Sequence, residues 1–336
     1  MVVKMMIIRE FQENDVNKAA SILAARHRRE RIEYPSLNQA FEDVQLLENI
    51  IKEQLAEPLS IAIVAYEGDE LLGFLISQIK TGKVFGRCAW IAYEGLGIAD
   101  GVDTSLYRNL YADISKRWLE LGCLKHYVIV PAGRDDVLNA WLMSSFSYEQ
   151  VFGINTLEIE FDDQNLDIEI ISAKSKHKAD LESISDTIMS FQASSPTYAV
   201  ALPEMFKELE KGYAGLVEDE EAHVLLAYEN DKLLGFTCGY FEDDNRSNMM
   251  MPYRGFELGV AATNMMYQKK GVGTVLTKTL FNDALKKKYE SSITDWRITN
   301  LKSSKFWPSM GYKPFAYRMV RTIDQRIYWA NGFKKL

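Results

Sequence analysis

The decapeptide AYEGDELLGF, residues 65–74, returns 162 residues later as AYENDKLLGF, residues 227–236, with eight of ten positions unchanged. In a chain of 336 residues that interval is too long for a solenoid unit of roughly 20–50 residues. It suits one domain of about 100–200 residues. The chain therefore reads as two copies of one domain. Each decapeptide has the pattern of a β-hairpin: an apolar run (IAIVAY, HVLLAY), a Gly-Asp or Asn-Asp turn, and a second apolar run (LLGFLIS, LLGFTCG).

The elements around each hairpin repeat as well. One short strand opens each half, MMIIREF and IEIISAK, and helical periodicity follows over 15–29 and 38–55, then over 176–190 and 203–217. After each hairpin come a strand, a helix (107–121; 275–289), a strand (KHYVIV; SITDWRIT), a short helix and a last strand. The boundary is expected in the polar stretch FDDQNLD, giving domains 1–163 and 164–336.

The net charge of −8 argues against a nucleic-acid partner, which calls for a basic surplus. Cys88, Cys123 and Cys238 are odd in number, far apart and flanked by apolar residues. They read as reduced thiols of a soluble, cytoplasmic protein. The four histidines lack metal-ligand spacing, so no metal is expected. No run is long and apolar enough to cross a membrane, so no membrane partner is expected either.

The second half holds the candidate site. Gln268-Lys269-Lys270-Gly271-Val272-Gly273 precedes a helix whose apolar stripe is Leu276, Leu280, Phe281, Ala284 and Leu285. Glycines remove side chains where backbone amides must approach an anion, and the helix N-terminus adds unpaired N–H groups and partial positive charge. That is a pyrophosphate cradle, although such a loop alone also fits a plain structural turn. Downstream, TDWRITNLKSSKFWPSMGYKPF sets Asn300, Ser303 three residues on, Trp307 four after that, then Gly311-Tyr312.

Together these motifs resemble the GNAT superfamily of acyl-CoA N-acyltransferases, which shows Q/R-x-x-G-x-G/A, then N-x-x-A/S-x-x-x-Y and a four-residue step to G-F/Y. The resemblance covers the second half in order and spacing. The first half shares element order, the hairpin and a W…SFSY ending at 141–148. It implies an α/β (α+β) fold of two tandem GNAT-like domains, each a mixed, mostly antiparallel β-sheet flanked by helices. The first domain is expected to be degenerate: shifting Gln268 back by 162 lands in SLYRNLYADI, where bulky Leu106, Tyr107 and Leu110 replace glycine.

By the same resemblance, the pantetheine of CoA would pair with the backbone of Ala261, Ala262 and Thr263. Gln268, Lys269, Lys270, Gly271, Val272, Gly273 and Thr274 would hold the pyrophosphate. Asn300 would bond the pantetheine, with Ser303 and Trp307 alongside. Glu257 precedes Gln268 by eleven residues, similar to the general base of histone-type GNAT enzymes. It stands on a strand in which Phe256, Leu258, Val260 and Ala262 alternate with Glu257, Gly259, Ala261 and Thr263. A glutamate facing solvent or a neighbouring strand fits the same pattern. Trp307 takes the place of the family's acidic Tyr and cannot donate a proton, leaving Ser303, Tyr312 and Tyr317 as stand-ins or as core residues.

The expected function is N-acetyltransfer from acetyl-CoA, a cosubstrate, to a primary amine by direct attack in a ternary complex. The alternative is a non-catalytic acyl-CoA-binding protein. The acceptor stays open among small amines, amino acids, aminoglycosides and protein N-termini, and oligomerisation is left open too.

Overall fold

The structure, a computed structural model, describes residues 5–157, 168–242 and 245–330. The expected domain boundary at 163/164 lies outside these residues. The chain forms two compact units, and no single cut separates them. The first comprises Met1–Gln150, Arg246–Met250 and Phe315–Leu336, the second Val151–Asn245 and Met251–Pro314.

The elements run in the order read from the sequence, except that the strand expected after the first hairpin is two, β4 and β5, and one helix of the second half is two. They begin with β1 (Met6–Glu10), α1 (Val16–Glu33), α2 (Val44–Ala56), β2 (Ser60–Glu67), β3 (Glu70–Lys80), β4 (Cys88–Ile91) and β5 (Leu96–Ile98). Next come α3 (Leu106–Glu120), β6 (Lys125–Pro131), α4 (Asp135–Leu142) and β7 (Ser147–Asn155). The second series is β8 (Glu169–Ser172), α5 (Lys178–Ile184), α6 (Thr187–Ala193), α7 (Pro203–Gly215), β9 (Ala222–Glu229), β10 (Lys232–Phe241) and β11 (Gly255–Thr263). It ends with α8 (Val272–Lys286), β12 (Ser291–Arg297), α9 (Ser303–Ser309) and β13 (Lys313–Thr322).

The sheet of the first unit has the order β1-β2-β3-β4-β6-β13, with β5 beside β3. Its last member comes from the far end of the chain: β13 runs antiparallel to β6, from Ala316 opposite Pro131 to Thr322 opposite Lys125. Met319 is buried there in the core built by α3, α4 and the sheet. Arg318 donates to Glu149 at 2.7 Å and stacks over Phe85 and Trp90 at 5.2 and 5.5 Å. In the second unit the order is β7-β12-β11-β10-β9-β8, β7 contributing Val151–Asn155. Gly153 is obligatory in that strand, since a Cβ would come 2.5 Å from the Trp296 ring.

Two sequence expectations change. The single helix over 176–190 is two, α5 and α6, because the Ser185 hydroxyl donates to Glu182 O at 2.7 Å and so competes with the helical pattern. The apolar seam of α8 is Val272, Leu276, Thr277, Leu280, Phe281 and Ala284. Leu285 is half-exposed at 47%, because one step of 100° carries it past the edge of the buried face.

Candidate active site

The repeated hairpin sets the frame. Its turn in the second unit places Asn230 and Asp231 at φ 49° and 63°, the left-handed pair that tight hairpins require. The repeated glycine has a steric reason. A Cβ on Gly235 would sit 2.6 Å from Ala262 O, and one on Gly73 would sit 2.8 Å from Gly97 O. In each unit a neighbouring strand, β5 over Gly73 and β11 over Gly235, closes directly over this position.

That next strand in the second unit is β11, and its pairing slips from Cys238↔Val260 to Gly239↔Leu258, leaving Gly259 unpaired. The bulge breaks the strict alternation expected along Phe256–Thr263: Phe256, Leu258 and Ala262 are buried, whereas Val260 is partly exposed. On its other side β11 pairs with β12 in parallel for three positions only, ending at Glu257↔Ile293. β11 then continues to Thr263 and β12 to Arg297 without further pairing to each other. A cleft opens beside the far end of β11.

The helix α8 faces this cleft with its N-terminus. Gly271 caps it at φ +81°, a left-handed conformation that favours glycine. The first helical bond runs from Val275 N to Gly271 O at 3.0 Å, so the N–H groups of Val272, Gly273 and Thr274 have no acceptor in the helix. Between strand and helix lies a cavity of about 700 Å³, lined by Ala261, Ala262, Thr263, Gln268, Lys269, Gly271, Val272, Gly273, Thr274, Ser303 and Trp307. Of the residues expected to bind CoA, Lys270 and Asn300 stand outside this lining. The Lys270 ammonium lies 5.1 Å over the Tyr267 ring. Asn300 Oδ1 accepts from the backbone N–H of Lys302 and Ser303 at 3.2 and 3.1 Å, closing the start of α9.

Tyr267, Lys302, Lys305 and Phe306 also line the cavity and were not singled out in the sequence. Lys302 donates to the Gln268 carboxamide and lies 4.6 Å over Phe191, tying the glycine loop to α6. Its signal is the pair of lysines in KSSK just after Asn300.

Glu257 stands outside the cavity lining, at the last paired position before the strands separate. Its side chain reaches solvent, yet desolvation by the surrounding protein, followed by the charges of Asp295 and Glu242, raises its pKa above the ordinary carboxylate value. The three stand-in acids lie in different settings. Tyr312 is fully buried and its hydroxyl is bonded to Ser292 Oγ at 2.7 Å; burial raises its pKa. Tyr317 belongs to the first unit, packed edge-on against Tyr148 at 4.8 Å. Only Ser303 lines the cavity. Trp307 is buried against Phe306 and Tyr312 at 4.9 and 5.5 Å.

Residues 186–312 match the family described as the acetyltransferase (GNAT) family. The chain thus carries a GNAT-family domain in its second half. Its tandem GNAT fold is shared with solved structures of low sequence identity. A tandem GNAT protein from the clavulanic acid biosynthesis pathway is 11% identical with a TM-score of 0.54, over 95% of this chain and 98% of that one. A GCN5-related N-acetyltransferase from Sphaerobacter thermophilus is 11% identical with a TM-score of 0.62, over 94% and 95%. A glucosamine N-acetyltransferase region of a fungal multi-domain protein is 12% identical with a TM-score of 0.57, over 95% of this chain and 38% of that one. No curated protein sequence matches the chain. GNAT proteins are acyltransferases that bind acyl-CoA. The described residues hold no cluster that could bind a metal and no helix long and apolar enough to cross a membrane.

Proposed function

We propose that the chain is an N-acetyltransferase that moves an acetyl group from acetyl-CoA to a primary amine by direct attack. The observation that carries this reading is the cleft between β11 and α8, with free helix-terminal N–H groups and glycine where the backbone must be bare. A Cβ on Gly273 would already stand 3.3 Å from the Phe306 ring, so the loop has room for a ligand and little for a side chain. On this reading the amides of Val272–Thr274 hold the pyrophosphate, Lys269 adds charge, and Ala261–Thr263 offer their backbone to the pantetheine. When bound, acetyl-CoA supplies a thioester carbonyl activated for attack.

The chain's own residues must then manage protons. An amine of pKa about 10.4 is almost wholly protonated at pH 7, and freeing it costs roughly 4–5 kcal/mol at 1.36 kcal/mol per pH unit. Glu257 takes that proton; its raised pKa makes it a stronger base than an ordinary carboxylate. The amine nitrogen then bonds to the carbonyl carbon as the C–S bond breaks. A thiol of pKa about 8.5 leaves as thiolate at a cost of about 2 kcal/mol at pH 7, so no strong acid is needed where Trp307 stands. The second nitrogen proton neutralises the thiolate. We read the cytoplasm as the site of action, consistent with three buried free thiols, and the first unit as a scaffold without an acyl-CoA site.

The test is a panel of amine classes with acetyl-CoA, following thiol release from pH 6 to 9. Turnover on one class is the expected outcome. Tight acetyl-CoA binding with no turnover on any class would favour a non-catalytic acyl-CoA-binding protein.

A further inference from the structure

We propose that the first unit binds a small carboxylate monoanion, the size of acetate, in a cavity of its own. The cavity measures about 60 Å³ and is lined by Arg26, Arg29, Glu30 and Glu33 of α1, Tyr107 of α3 and Arg134 after β6, among others. It is the counterpart of the second unit's cleft. Its Ile98 pairs with Gly73 as Thr263 pairs with Gly235, and Tyr107 is the second residue of α3 as Gly273 is of α8. The tyrosine ring takes the space a pyrophosphate would need, and what is left suits a far smaller ligand.

Size and the open donors of Arg26 together define that ligand. At about 10–15 Å³ of this volume per water-sized group, the cavity of about 60 Å³ has room for about four to six heavy atoms. Arg26 is 7% exposed. One of its terminal nitrogens donates to Leu96 O at 2.6 Å, while Nε and Nη2 have no hydrogen-bond partner among the described residues. Arg26 Nε does lie 2.9 Å from Glu30 Oε1, out of line for a hydrogen bond, and Glu30 Oε2 accepts from Tyr93 at 2.6 Å. Buried guanidinium N–H groups without acceptors are costly, and a carboxylate matches their fork geometry.

Two more cations converge there. Burial and then the charge of Arg134 depress the pKa of Arg29, so these two guanidinium groups repel each other across the site. Their own carboxylate partners, Asp100 and Asp136, lie outside the lining. With Glu30 and Glu33 of the lining, four carboxylates surround the three cations, so the ligand answers to the open guanidinium donors of Arg26 and not to a surplus of positive charge. A monoanion adds the least charge to such a site; a phosphate dianion adds more.

The experiment titrates sodium acetate into the full chain, with sodium chloride at matched ionic strength as reference and inorganic phosphate as a second arm. It follows Tm and the line width of labelled acetate well below Tm. We expect saturable binding of acetate, weaker binding of phosphate, and at least a tenfold loss of acetate affinity in R29Q/R134Q, whose side chains are 32% and 44% exposed. The exposed Lys116→Gln change is the charge control and should leave acetate affinity unchanged. Gly273→Trp, which fills the second unit's cleft, should leave it unchanged as well. No saturation beyond chloride, phosphate binding as tight as acetate, or acetate binding lost with Gly273→Trp and kept in R29Q/R134Q would each overturn the proposal. Circular dichroism and the low-temperature line widths keep a destabilised variant informative.

Discussion

Where the second unit presents Glu257, the first presents Trp90. Glu257 pairs with Tyr240 of the hairpin, and Trp90 pairs with Gln78, the residue 162 positions before Tyr240. On the other side the parallel partners are Ile293 and Tyr127. The second unit surrounds its carboxylate with Asp295 and Glu242. The first packs its indole against Phe85 and Tyr127, each at 5.2 Å, and places Lys80 over it at 4.4 Å. The glycine loop diverges in the same way: Tyr107 stacks on Trp141 at 5.7 Å where Gly273 leaves bare backbone. One fold therefore keeps two positions in place while opposite side chains fill them, and the chemistry follows the side chains.

The sharpest way to break this comparison is to write one unit's residue into the other. Gly273→Tyr copies Tyr107 into the glycine loop and should abolish measurable acetyl-CoA binding, because the ring would meet Phe306 and the phosphate path together. The reverse change, Tyr107→Gly, should not create a second site. It should cost about 3–5 kcal/mol of stability, as large-to-small aromatic core changes do, with calorimetry still giving one acetyl-CoA per chain. The reason lies two residues earlier: Ser105 caps α3 at φ −59°, where Gly271 caps α8 at +81°. Two equivalent sites in the Tyr107→Gly chain would mean that the aromatic ring alone separates the units.

The next effect tests the other diverged position. Glu257→Gln keeps size and removes basicity, so turnover should fall by the roughly 10²–10⁴ typical of losing one acid–base group. As the proposed base, Glu257 would work only as a carboxylate, and its pKa is raised. Wild-type turnover should therefore climb as pH rises through that raised value. The deficit of the variant should shrink at still higher pH, as more amine arrives neutral. A pH–rate profile from 6 to 9 checks both trends. Near-normal turnover at pH 7 would make Glu257 a structural residue, no different in kind from Trp90.

The sequence reveals these positions unequally. The hairpin repeat, the glycine loop and the Asn300–Trp307 spacing are local signals, and eleven of the thirteen residues expected from the resemblance they carry line one cavity. The Trp90–Glu257 equivalence is hidden, because the counterpart of β11 in the first unit is broken into β4 and β5 by Ala92–Gly95. β3 and β10 begin 162 residues apart, at Glu70 and Lys232, whereas α3 and α8 begin 166 apart, at Leu106 and Val272. A constant shift of 162 therefore misplaces everything after the hairpin. The membership of β13 in the first unit is hidden for another reason. Its alternating pattern fits an edge of either sheet, and only non-local contacts, such as Arg318 over Phe85 and Trp90, decide between them.

Asn300 sharpens the comparison at its smallest scale. Arg134 stands near the corresponding turn of the first unit, before α4, and its side chain makes no capping bond; Asn300 Oδ1 accepts from two backbone N–H groups. An aspartate caps a helix about as well as an asparagine, so Asn300→Asp should leave Tm nearly unchanged. It does remove the amide donor. If that donor bonds the pantetheine, as in the family it resembles, the loss of one hydrogen bond worth about 0.5–1.5 kcal/mol should weaken acetyl-CoA binding by about 2–10-fold. Calorimetry on the two proteins reads the difference directly. Unchanged affinity with an unchanged Tm would confine Asn300 to the cap, and the pantetheine would then be held by the strand backbone alone.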